Sequence, residues 1–212
     1  MTALLQVALD VVSLREAIRI ARLSVKGGAD ILEAGTPLIK SVGLISVEVL
    51  KEAFPEKIVV ADLKTMDAGR LEASLAFEKG ADIVTVMALA TMETITEVVE
   101  TAREYGGKVM VDLMNVSNPF LEAKKLSVTG VDYFCLHVGI DVQRRRKITA
   151  EQLVNEAERL KEEGFKVAVA GGLNEKTVQS FRNMDIVIVG SRITKSSKPD
   201  LVTSLIKKIL SR

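Results

Sequence analysis

Gly80-Ala81-Asp82-Ile83-Val84-Thr85-Val86 is the stretch of sequence that decides the fold. Its glycine can end a helix in the left-handed conformation, and the apolar run after it is typical of a buried strand. Similar tripeptides recur at Gly28-Ala29-Asp30 and Gly130-Val131-Asp132, with a weaker copy at Met184-Asp185. The copies are spaced by about 50 residues, which is the length of two strand–helix units. Four copies therefore predict eight such units.

The rest of the chain repeats the same alternation of short apolar runs and amphipathic stretches. The runs predict eight buried parallel strands at 4–10, 29–34, 58–63, 81–86, 108–113, 131–136, 166–170 and 185–189. The helical patterns lie between them, at 13–27, 44–53, 68–79, 91–105, 119–129, 149–163, 174–182 and 199–211. Such even spacing favours a single (β/α)8 TIM barrel, one catalytic domain over residues 1–212, rather than an open doubly wound sheet.

The composition excludes several classes of protein. Hydrophobic residues make up 48% and charged residues 27%, as in a globular protein rather than a disordered chain. The formal net charge of +1 argues against a nucleic-acid-binding protein. The apolar runs are far shorter than the roughly 20 residues that cross a bilayer, and the N-terminus has no signal-peptide pattern. A single cysteine, Cys135, excludes an intrachain disulfide. We therefore expect a cytoplasmic protein with neither membrane nor nucleic acid as a partner.

Ionisable residues close several of the predicted strands. Because the active sites of α/β barrels lie at the carboxyl ends of the strands, these residues are the candidates for chemistry. They are Asp10, Glu33, Asp62, Lys64, Asp112 and His137. Any one acid could be a helix N-cap or a solvated loop residue, and the only histidine could be structural, but their common position favours a site. Four carboxylates repel each other unless positive charge lies among them, which Lys64 and a divalent cation can supply.

The segment Asp62-Leu63-Lys64-Thr65-Met66-Asp67-Ala68-Gly69 carries the most specific local signal. Asp62 and Lys64 are two residues apart on a predicted strand, so their side chains should share a face. That face can be the barrel interior, where a lysine held charged by a carboxylate can stabilise an anion in a transition state. Asp67 begins the next predicted helix, where its ordinary role would be that of an N-cap.

Two glycine-bearing loops predict a phosphate site. Ala170-Gly171-Gly172-Leu173 follows the seventh strand, and Val189-Gly190-Ser191-Arg192 follows the eighth. Loops at these two positions often bind phosphate in such barrels, because glycine lets backbone N–H groups approach the anion. The alternative is that the glycines only make turns. The residues expected to contact the phosphate are Gly171, Gly172, Gly190 and Ser191 through the backbone, and Arg192 through its guanidinium.

Six segments, in order along the chain, resemble one known family. They are Leu5-Gln6-Val7-Ala8-Leu9-Asp10, Glu33-Ala34-Gly35-Thr36-Pro37, Asp62-Leu63-Lys64-Thr65-Met66-Asp67-Ala68-Gly69, His137-Val138-Gly139-Ile140-Asp141-Val142-Gln143, Ala170-Gly171-Gly172 and Val187-Ile188-Val189-Gly190. Over essentially its whole length the chain resembles the 3-hexulose-6-phosphate synthase family, in the orotidine 5′-monophosphate decarboxylase superfamily of barrels. The Asp-x-Lys-x-x-Asp motif is specific to the superfamily, and Leu63, Thr65 and Met66 point to the synthase branch.

The resemblance implies an aldehyde-lyase, or aldolase. D-Ribulose 5-phosphate and formaldehyde would join reversibly to give D-arabino-hex-3-ulose 6-phosphate through an enediolate, with magnesium as cofactor. Glu33 and Asp62 would be the metal ligands, and Lys64 would stabilise the enediolate together with the metal. His137 would move a proton on or off the ketose carbon or its oxygen. Physical chemistry agrees, because a cation and an ammonium in a shielded pocket stabilise enediolate charge well and magnesium prefers oxygen ligands.

The same resemblance implies roles for three further acids. Asp10 and Asp112 would hold substrate hydroxyls. Asp67 would reach across a homodimer into the neighbour's site, so that the two active sites would be shared. An outward direction is reasonable for Asp67, since a side chain at the start of the third helix tends to point over the barrel rim.

Two other functions stay open. A 3-keto-L-gulonate-6-phosphate decarboxylase, which is a carboxy-lyase, shares the acids and the lysine but tends to carry arginines after the histidine, where this chain has Val138 and Ile140. A non-catalytic sugar-phosphate-binding barrel would need the charged set to be broken, and the set is intact. The chain departs from the family at Arg146 and Thr149, where glycine and proline are usual, and Arg192 lies one step later than in relatives that carry this arginine.

Overall fold

The computed structural model describes residues 2–211 and contains a closed barrel of eight parallel strands. Each strand is bonded to the next, and the first and last strands pair to close the barrel. The strands are β1 (Leu4–Leu9), β2 (Ile31–Ala34), β3 (Ile58–Thr65), β4 (Ile83–Met87), β5 (Lys108–Asp112), β6 (Tyr133–His137), β7 (Val167–Ala170) and β8 (Ile186–Val189). The predicted (β/α)8 barrel is confirmed.

Helices follow the strands and pack around the outside of the barrel. The α-helices are α1 (Leu14–Lys26), α2 (Thr36–Val42), α3 (Ile45–Ala53), α4 (Gly69–Glu78), α5 (Met92–Tyr105), α6 (Pro119–Leu126), α7 (Ile140–Arg146), α8 (Val154–Glu162), α9 (Ser191–Thr194) and α10 (Pro199–Leu210). Short 3₁₀ helices lie at Ser127–Thr129, Ala150–Leu153 and Val178–Phe181. Among residues 2–211, no helix has the length and apolar character that crossing a membrane requires.

Three predicted helices differ from the structure, and one of them, at 119–129, ends as the 3₁₀ helix Ser127–Thr129 after α6. The pattern at 174–182 forms only the 3₁₀ helix Val178–Phe181. Asn174 Oδ1 accepts from the N–H of Lys176 at 2.9 Å, and Thr177 Oγ1 accepts from the N–H of Asn174 at 3.0 Å. Such local bonds from side chain to backbone compete with a helix, so the prediction there was wrong. The pattern at 149–163 begins as a 3₁₀ turn and becomes α-helical only with α8.

Three short helices were not predicted from the sequence. They are α2, α7 and α9, which follow β2, β6 and β8. Their N-caps are Gly35, Gly139 and Gly190, and none has a side-chain cap. The usual start signal of Ser, Thr, Asp or Asn is therefore missing at each. All three helices lie at the carboxyl end of the barrel, so they shape its open end.

The repeated aspartates tie neighbouring strands together at the amino end of the barrel. Gly28, Gly80 and Gly130 all have positive φ, as the helix-ending role requires. Each aspartate that follows accepts the backbone N–H at or near the start of the preceding strand. The pairs are Asp30 with Leu5 at 2.7 Å, Asp82 with Val59 at 2.7 Å, Asp132 with Val109 at 2.9 Å, and Asp185 with Val167 at 2.7 Å. The repeat read from the sequence is thus a structural clamp.

The core has two layers. The outer layer packs the outward strand residues against the helices, and the inner layer fills the barrel. The inner residues include Ala8, Ile31, Val60, Ile83, Met110, Cys135, Ala168 and Ile188. At the amino end, Tyr133 is covered by the ammonium groups of Lys108 and Lys166. The apolar interior therefore forms a floor beneath the polar side chains at the carboxyl ends.

Candidate active site

A cavity of about 610 Å³ lies at the carboxyl ends of the strands. The predicted ionisable residues that line it are Asp10, Glu33, Asp62, Lys64, Asp112 and His137. The predicted loop residues that line it are Gly171, Gly172, Gly190 and Ser191. Asp67 and Arg192 do not belong to this lining. The fold thus brings together residues from both halves of the chain.

Lys64 lies in an irregular part of β3. Ala61 pairs with Val84 while Thr65 pairs with Val86, so the register shifts between them. Lys64 has a φ of 50°, which a non-glycine residue rarely adopts, and its N–H donates to Thr85 Oγ1 at 2.9 Å. Strand alternation, the reason for which we expected Asp62 and Lys64 to share a face, therefore does not hold. The bulge brings the two side chains together, at a cost of roughly 1–2 kcal/mol for the left-handed residue.

The Lys64 ammonium lies between two carboxylates. Its Nζ is 2.8 Å from both Oδ1 and Oδ2 of Asp62, and 3.1 Å from Oδ2 of Asp112. Burial alone would lower the pKa of Lys64, but Asp62 and Asp112 outweigh it and raise that pKa above its usual value. Lys64 is therefore a fixed positive charge in the cavity at neutral pH.

His137 is bonded to Asp112, which is almost fully buried. The distance from His137 Nδ1 to Asp112 Oδ2 is 2.8 Å, and Asp112 Oδ1 accepts the N–H of Met114 at 2.9 Å. Burial would raise the Asp112 pKa, but His137 and Lys64 outweigh it and hold that pKa at about 2. Asp112 is therefore ionised at neutral pH and can only accept. It follows that His137 Nδ1 carries the hydrogen, which leaves Nε2 of a neutral ring as the basic nitrogen.

Three polar residues that the sequence analysis missed support the two predicted metal ligands. Gln6 is buried in the barrel, and its Nε2 donates to Glu33 Oε2 at 2.5 Å. Thr85 Oγ1 donates to Asp62 Oδ1 at 2.8 Å, and Thr36 Oγ1 lies 2.8 Å from Asp62 Oδ2. Gln6 and Thr85 are polar residues in otherwise apolar strands, and that was the available signal. Burial, and then repulsion by Asp62, raises the pKa of Glu33 well above its usual value.

Asp10 is held at the rim between two glycines. A methyl group on Gly35 would collide with Asp10 Oδ1, and one on Gly190 would lie 3.2 Å from Asp10 Oδ2. The two positions thus leave room for the carboxylate beside the open end of the barrel. Asp10 consequently faces the same cavity as Asp62 and Lys64.

The loop after β7 requires its two glycines. Gly171 and Gly172 have φ values of 113° and 73°, in the left-handed region that favours glycine. A Cβ on Gly171 would lie 2.5 Å from the carbonyl oxygen of Val138. The backbone of this loop can therefore come directly against the segment after β6, and Gly171 and Gly172 both line the cavity.

Asp67 and Arg192 do not line the cavity. Arg192 Nε donates to Glu175 Oε2 at 2.7 Å, in an ion pair on the outer surface. Asp67 is exposed, and its Oδ1 accepts only the N–H of Ala68, at 2.8 Å. The N-cap of α4 is Ala68, with φ of 54°, so Asp67 does not cap that helix. Helix capping, the ordinary role of an aspartate at this position, therefore does not explain Asp67.

Comparisons with known proteins agree with this geometry. Residues 3–204 match the model of the orotidine 5′-phosphate decarboxylase / HUMPS family. A 3-hexulose-6-phosphate synthase of Bacillus subtilis (strain 168) is 39% identical over 208 residues, which cover 97% of this chain and 98% of that protein. The crystal structure of 3-hexulose-6-phosphate synthase from Salmonella typhimurium has a TM-score of 0.91 and 33% identity, covering 100% of this chain and 99% of that one. The crystal structure of KGPDC from Streptococcus mutans has a TM-score of 0.88 and 31% identity, covering 100% of this chain and 99% of that one.

Proposed function

This chain belongs to the orotidine 5′-phosphate decarboxylase / HUMPS family, and on that premise we propose that it catalyses the 3-hexulose-6-phosphate synthase reaction. As an aldehyde-lyase it joins ribulose 5-phosphate and formaldehyde reversibly into hexulose 6-phosphate. The observation that carries the proposal is the intact network in which Asp112 contacts both Lys64 and His137 inside the cavity. A fixed cation next to a basic imidazole is what the formation of an enediolate requires.

Lys64 stabilises the negative charge that develops during the reaction. Removal of a proton from C1 of the ketose leaves a charge shared by the oxygens of an enediolate. The ammonium is held charged by Asp62 and Asp112, and the Lys64 side chain is mostly buried. A positive charge already in place in such a site needs no reorganisation when the oxyanion forms, so it lowers the barrier.

His137 moves the proton. Its basic Nε2 takes the proton from C1 of ribulose 5-phosphate, and the ring becomes an imidazolium that Asp112 stabilises. C1 then attacks the carbonyl carbon of formaldehyde, and a carbon–carbon bond forms. The imidazolium returns the proton to the former formaldehyde oxygen. Asp112, which the resemblance assigned to a substrate hydroxyl, is already bonded to His137 and Lys64, so we assign it the positioning of those two groups.

The donor set fits a magnesium ion. Glu33 and Asp62 offer hard oxygen ligands, and buried Glu33 is costly to ionise beside Asp62 unless a cation is near. Lys64 keeps Asp112 as a partner, so Asp62 can bind a cation without leaving the ammonium unpaired. Among residues 2–211 no three His, Cys, Asp or Glu side chains converge as a ligand group, so waters and substrate oxygens would complete the shell. When bound, magnesium would polarise the ketose oxygens as a Lewis acid.

The two glycine loops suit the phosphate end of the substrate. Gly172, Gly190 and Ser191 line the cavity on the side of β7 and β8, where their backbone N–H groups could bind an anion. Asp10 lies between that side and the charged network, since it is held against Gly190 while it faces the cavity. A carboxylate at this position would bind the hydroxyls of the sugar chain, and we assign Asp10 that role.

The surface around Asp67 supports a homodimer with shared sites. Met66, which precedes Asp67, is 51% exposed, and Leu71 and Leu75 in the following helix α4 are 62% and 45% exposed. Leu71 and Leu75 are four residues apart on α4, so they share one face of that helix. A second copy of the chain would cover these apolar side chains and would bring Asp67 towards Lys64 of the partner subunit.

We also propose a cytoplasmic location, which the free, buried thiol of Cys135 supports.

One assay separates the proposed activity from its competitors. We expect purified protein with magnesium to consume formaldehyde in the presence of ribulose 5-phosphate and to form hexulose 6-phosphate. Release of carbon dioxide from 3-keto-L-gulonate 6-phosphate without any consumption of formaldehyde would show the decarboxylase instead. The apolar residues Val138 and Ile140, where the decarboxylase branch tends to carry arginines, favour the synthase. Binding of the sugar phosphate with no turnover of either substrate would indicate a non-catalytic barrel.

A further inference from the structure

Most acidic side chains of the cavity lining come from the strand ends, whereas two of its basic side chains come from helices beyond them. Four acids, Asp10, Glu33, Asp62 and Asp112, come from the ends of β1, β2, β3 and β5. Lys64 lies among these acids and is paired with Asp62 and Asp112, while two further basic residues, Arg144 and Lys195, come from the segments that follow β6 and β8. A phosphate dianion that enters this cavity is repelled by the acids, so its position depends on where positive charge lies.

Arg144 is carried to the glycine loops by the packing of α7. Gln143 Nε2 donates to the carbonyl oxygen of Val138 at 2.7 Å, which fixes the helix against its own strand end. A Cβ on Gly172 would lie 2.8 Å from Gln143 Oε1, so α7 also touches the loop after β7. Arg144 is the next residue and lines the cavity. Asp141, in the first turn of α7, is an acidic lining residue on the same side.

Lys195 is carried to the same end by α9. Its N–H donates to the carbonyl oxygen of Ser191 at 3.1 Å, so it lies one helical turn beyond the Gly190-Ser191 step. Within residues 2–211, neither Arg144 nor Lys195 forms an ion pair or a side-chain hydrogen bond. Arg192, by contrast, is bound to Glu175 outside the cavity. Arg144 and Lys195 can therefore contact an anion in the cavity. Arg192, which the sequence pattern indicated for that role, is paired with Glu175 instead.

We propose that Arg144 and Lys195 bind the substrate's phosphate and take the role that the sequence pattern indicated for Arg192. The proposal rests on the function proposed above, because it needs a sugar phosphate as the ligand. Together with the amides of Gly172 and Ser191, the two cations direct the phosphate to the side of β7 and β8. The reacting end of the sugar then faces the acids and Lys64. Substrate orientation thus follows from the position in the cavity of these two cations, which are unpaired within residues 2–211.

The test measures binding of ribulose 5-phosphate without formaldehyde, by calorimetry, in Arg144→Ala and Lys195→Ala. Each variant should bind about tenfold more weakly, as expected for a lost charge-assisted hydrogen bond, and Arg144→Lys should recover part of the loss. KM should rise in the same proportion while kcat changes by no more than about twofold, because the phosphate contact is the same in ground and transition states. The difference in affinity between each variant and the unmodified chain should become smaller at high salt.

Arg145→Ala is the matched control. Arg145 lies on the same helix as Arg144, is exposed, and does not line the cavity. The Arg145→Ala variant should therefore bind ribulose 5-phosphate as tightly as the unmodified chain. Unchanged affinity in both test variants, or an equal loss in the control, would overturn the proposal. Failure of the proposed function would look different: ribulose 5-phosphate or inorganic phosphate would still bind in an Arg144-dependent way, but no formaldehyde would be consumed. If the unmodified chain bound neither probe, both proposals would be wrong.

Discussion

Asp112 contacts both Lys64, which stabilises negative charge, and His137, which transfers the proton. One of its oxygens contacts both His137 Nδ1 and Lys64 Nζ, while the other accepts a backbone N–H. Because it stays ionised, it sets the tautomer of His137 and helps to keep Lys64 charged. From the sequence we could expect that these three residues lie at one end of the barrel. The shared oxygen atom could not be foreseen, since it depends on the side-chain positions of three separate strands.

Asp112 also gives the protein a defined dependence of stability on pH. Its pKa of about 2 in the folded state lies below the ordinary value of 3.8, so folding favours the ionised form. This stabilisation is complete above about pH 4 and is lost as the pH falls towards 2. In Asp112→Asn, the free energy of unfolding should therefore fall less steeply between pH 5 and pH 2, by about 2 kcal/mol in total. Urea unfolding at a series of pH values measures this, and an unchanged slope would contradict the assignment.

Asp62 is the residue on which the proposed metal site depends most. Asp62→Asn keeps the shape of the side chain and removes its charge, and its remaining oxygen can still accept from one of Thr36 and Thr85. We expect magnesium-dependent turnover to be abolished while circular dichroism shows an intact fold. Binding of Mn²⁺, followed by its electron paramagnetic resonance signal, should weaken by at least about tenfold. Near-full activity of the variant in excess chelator would show that the metal role is wrong.

At the end of β3, the predicted contact between Asp62 and Lys64 forms, but through a backbone irregularity that the sequence did not predict. A regular strand would place Asp62 and Lys64 on one face by simple alternation. The structure instead has a register shift after Ala61 and a left-handed Lys64, whose N–H is bonded to Thr85. Propensity gives no sign of such a bulge, because lysine rarely adopts positive φ. The neighbouring strand β4 compensates for it through a threonine side chain.

The repeated aspartates lie at the amino ends of the strands. They should contribute to stability and not to activity. Asp82 accepts the N–H of Val59 and forms an ion pair with Lys51, with both contacts at the amino end of the barrel. Asp82→Ala should lower the free energy of unfolding by about 1–3 kcal/mol, because it leaves a backbone donor without its partner. Within residues 2–211, Asp200→Ala removes a 3.5 Å pair with the exposed Lys26 ammonium and no backbone partner, so it should change stability by less than about 1 kcal/mol.

Urea denaturation of both variants, together with the formaldehyde-consumption assay, makes this comparison. The active site lies at the opposite end of the barrel from Asp82, so kcat and KM should be unchanged in either variant. Equal stability of Asp82→Ala and Asp200→Ala would show that the clamp contributes nothing.

The homodimer proposal is a property of the whole molecule and can be tested by mixing. Asp67 lies outside its own cavity, so a role in the reaction requires a second copy of the chain. Asp67→Ala and Lys64→Ala should each be nearly inactive alone. When the two are mixed and allowed to exchange subunits, heterodimers should regain activity, since one of their two sites has both residues intact.

The heterodimer is isolated with two different affinity tags, so that its composition is known before the assay. Mixing Lys64→Ala with Lys64→Arg is the control, because neither partner then supplies an intact lysine. No recovery in isolated heterodimers, or full activity of a monomer at working dilution, would rule out the shared site.

The sequence by itself determined the barrel and the membership of most of the cavity lining. Periodic apolar runs and recurring glycine–aspartate steps are local patterns, and parallel strands in a closed barrel place every carboxyl end on one side. Tertiary structure alone decided the bulge at Lys64, the support of Glu33 by Gln6, and the pairing of Arg192 with Glu175. It also decided that Arg144 and Lys195 line the cavity. Each of these depends on which side chains from distant segments meet, and one-dimensional spacing does not record such contacts.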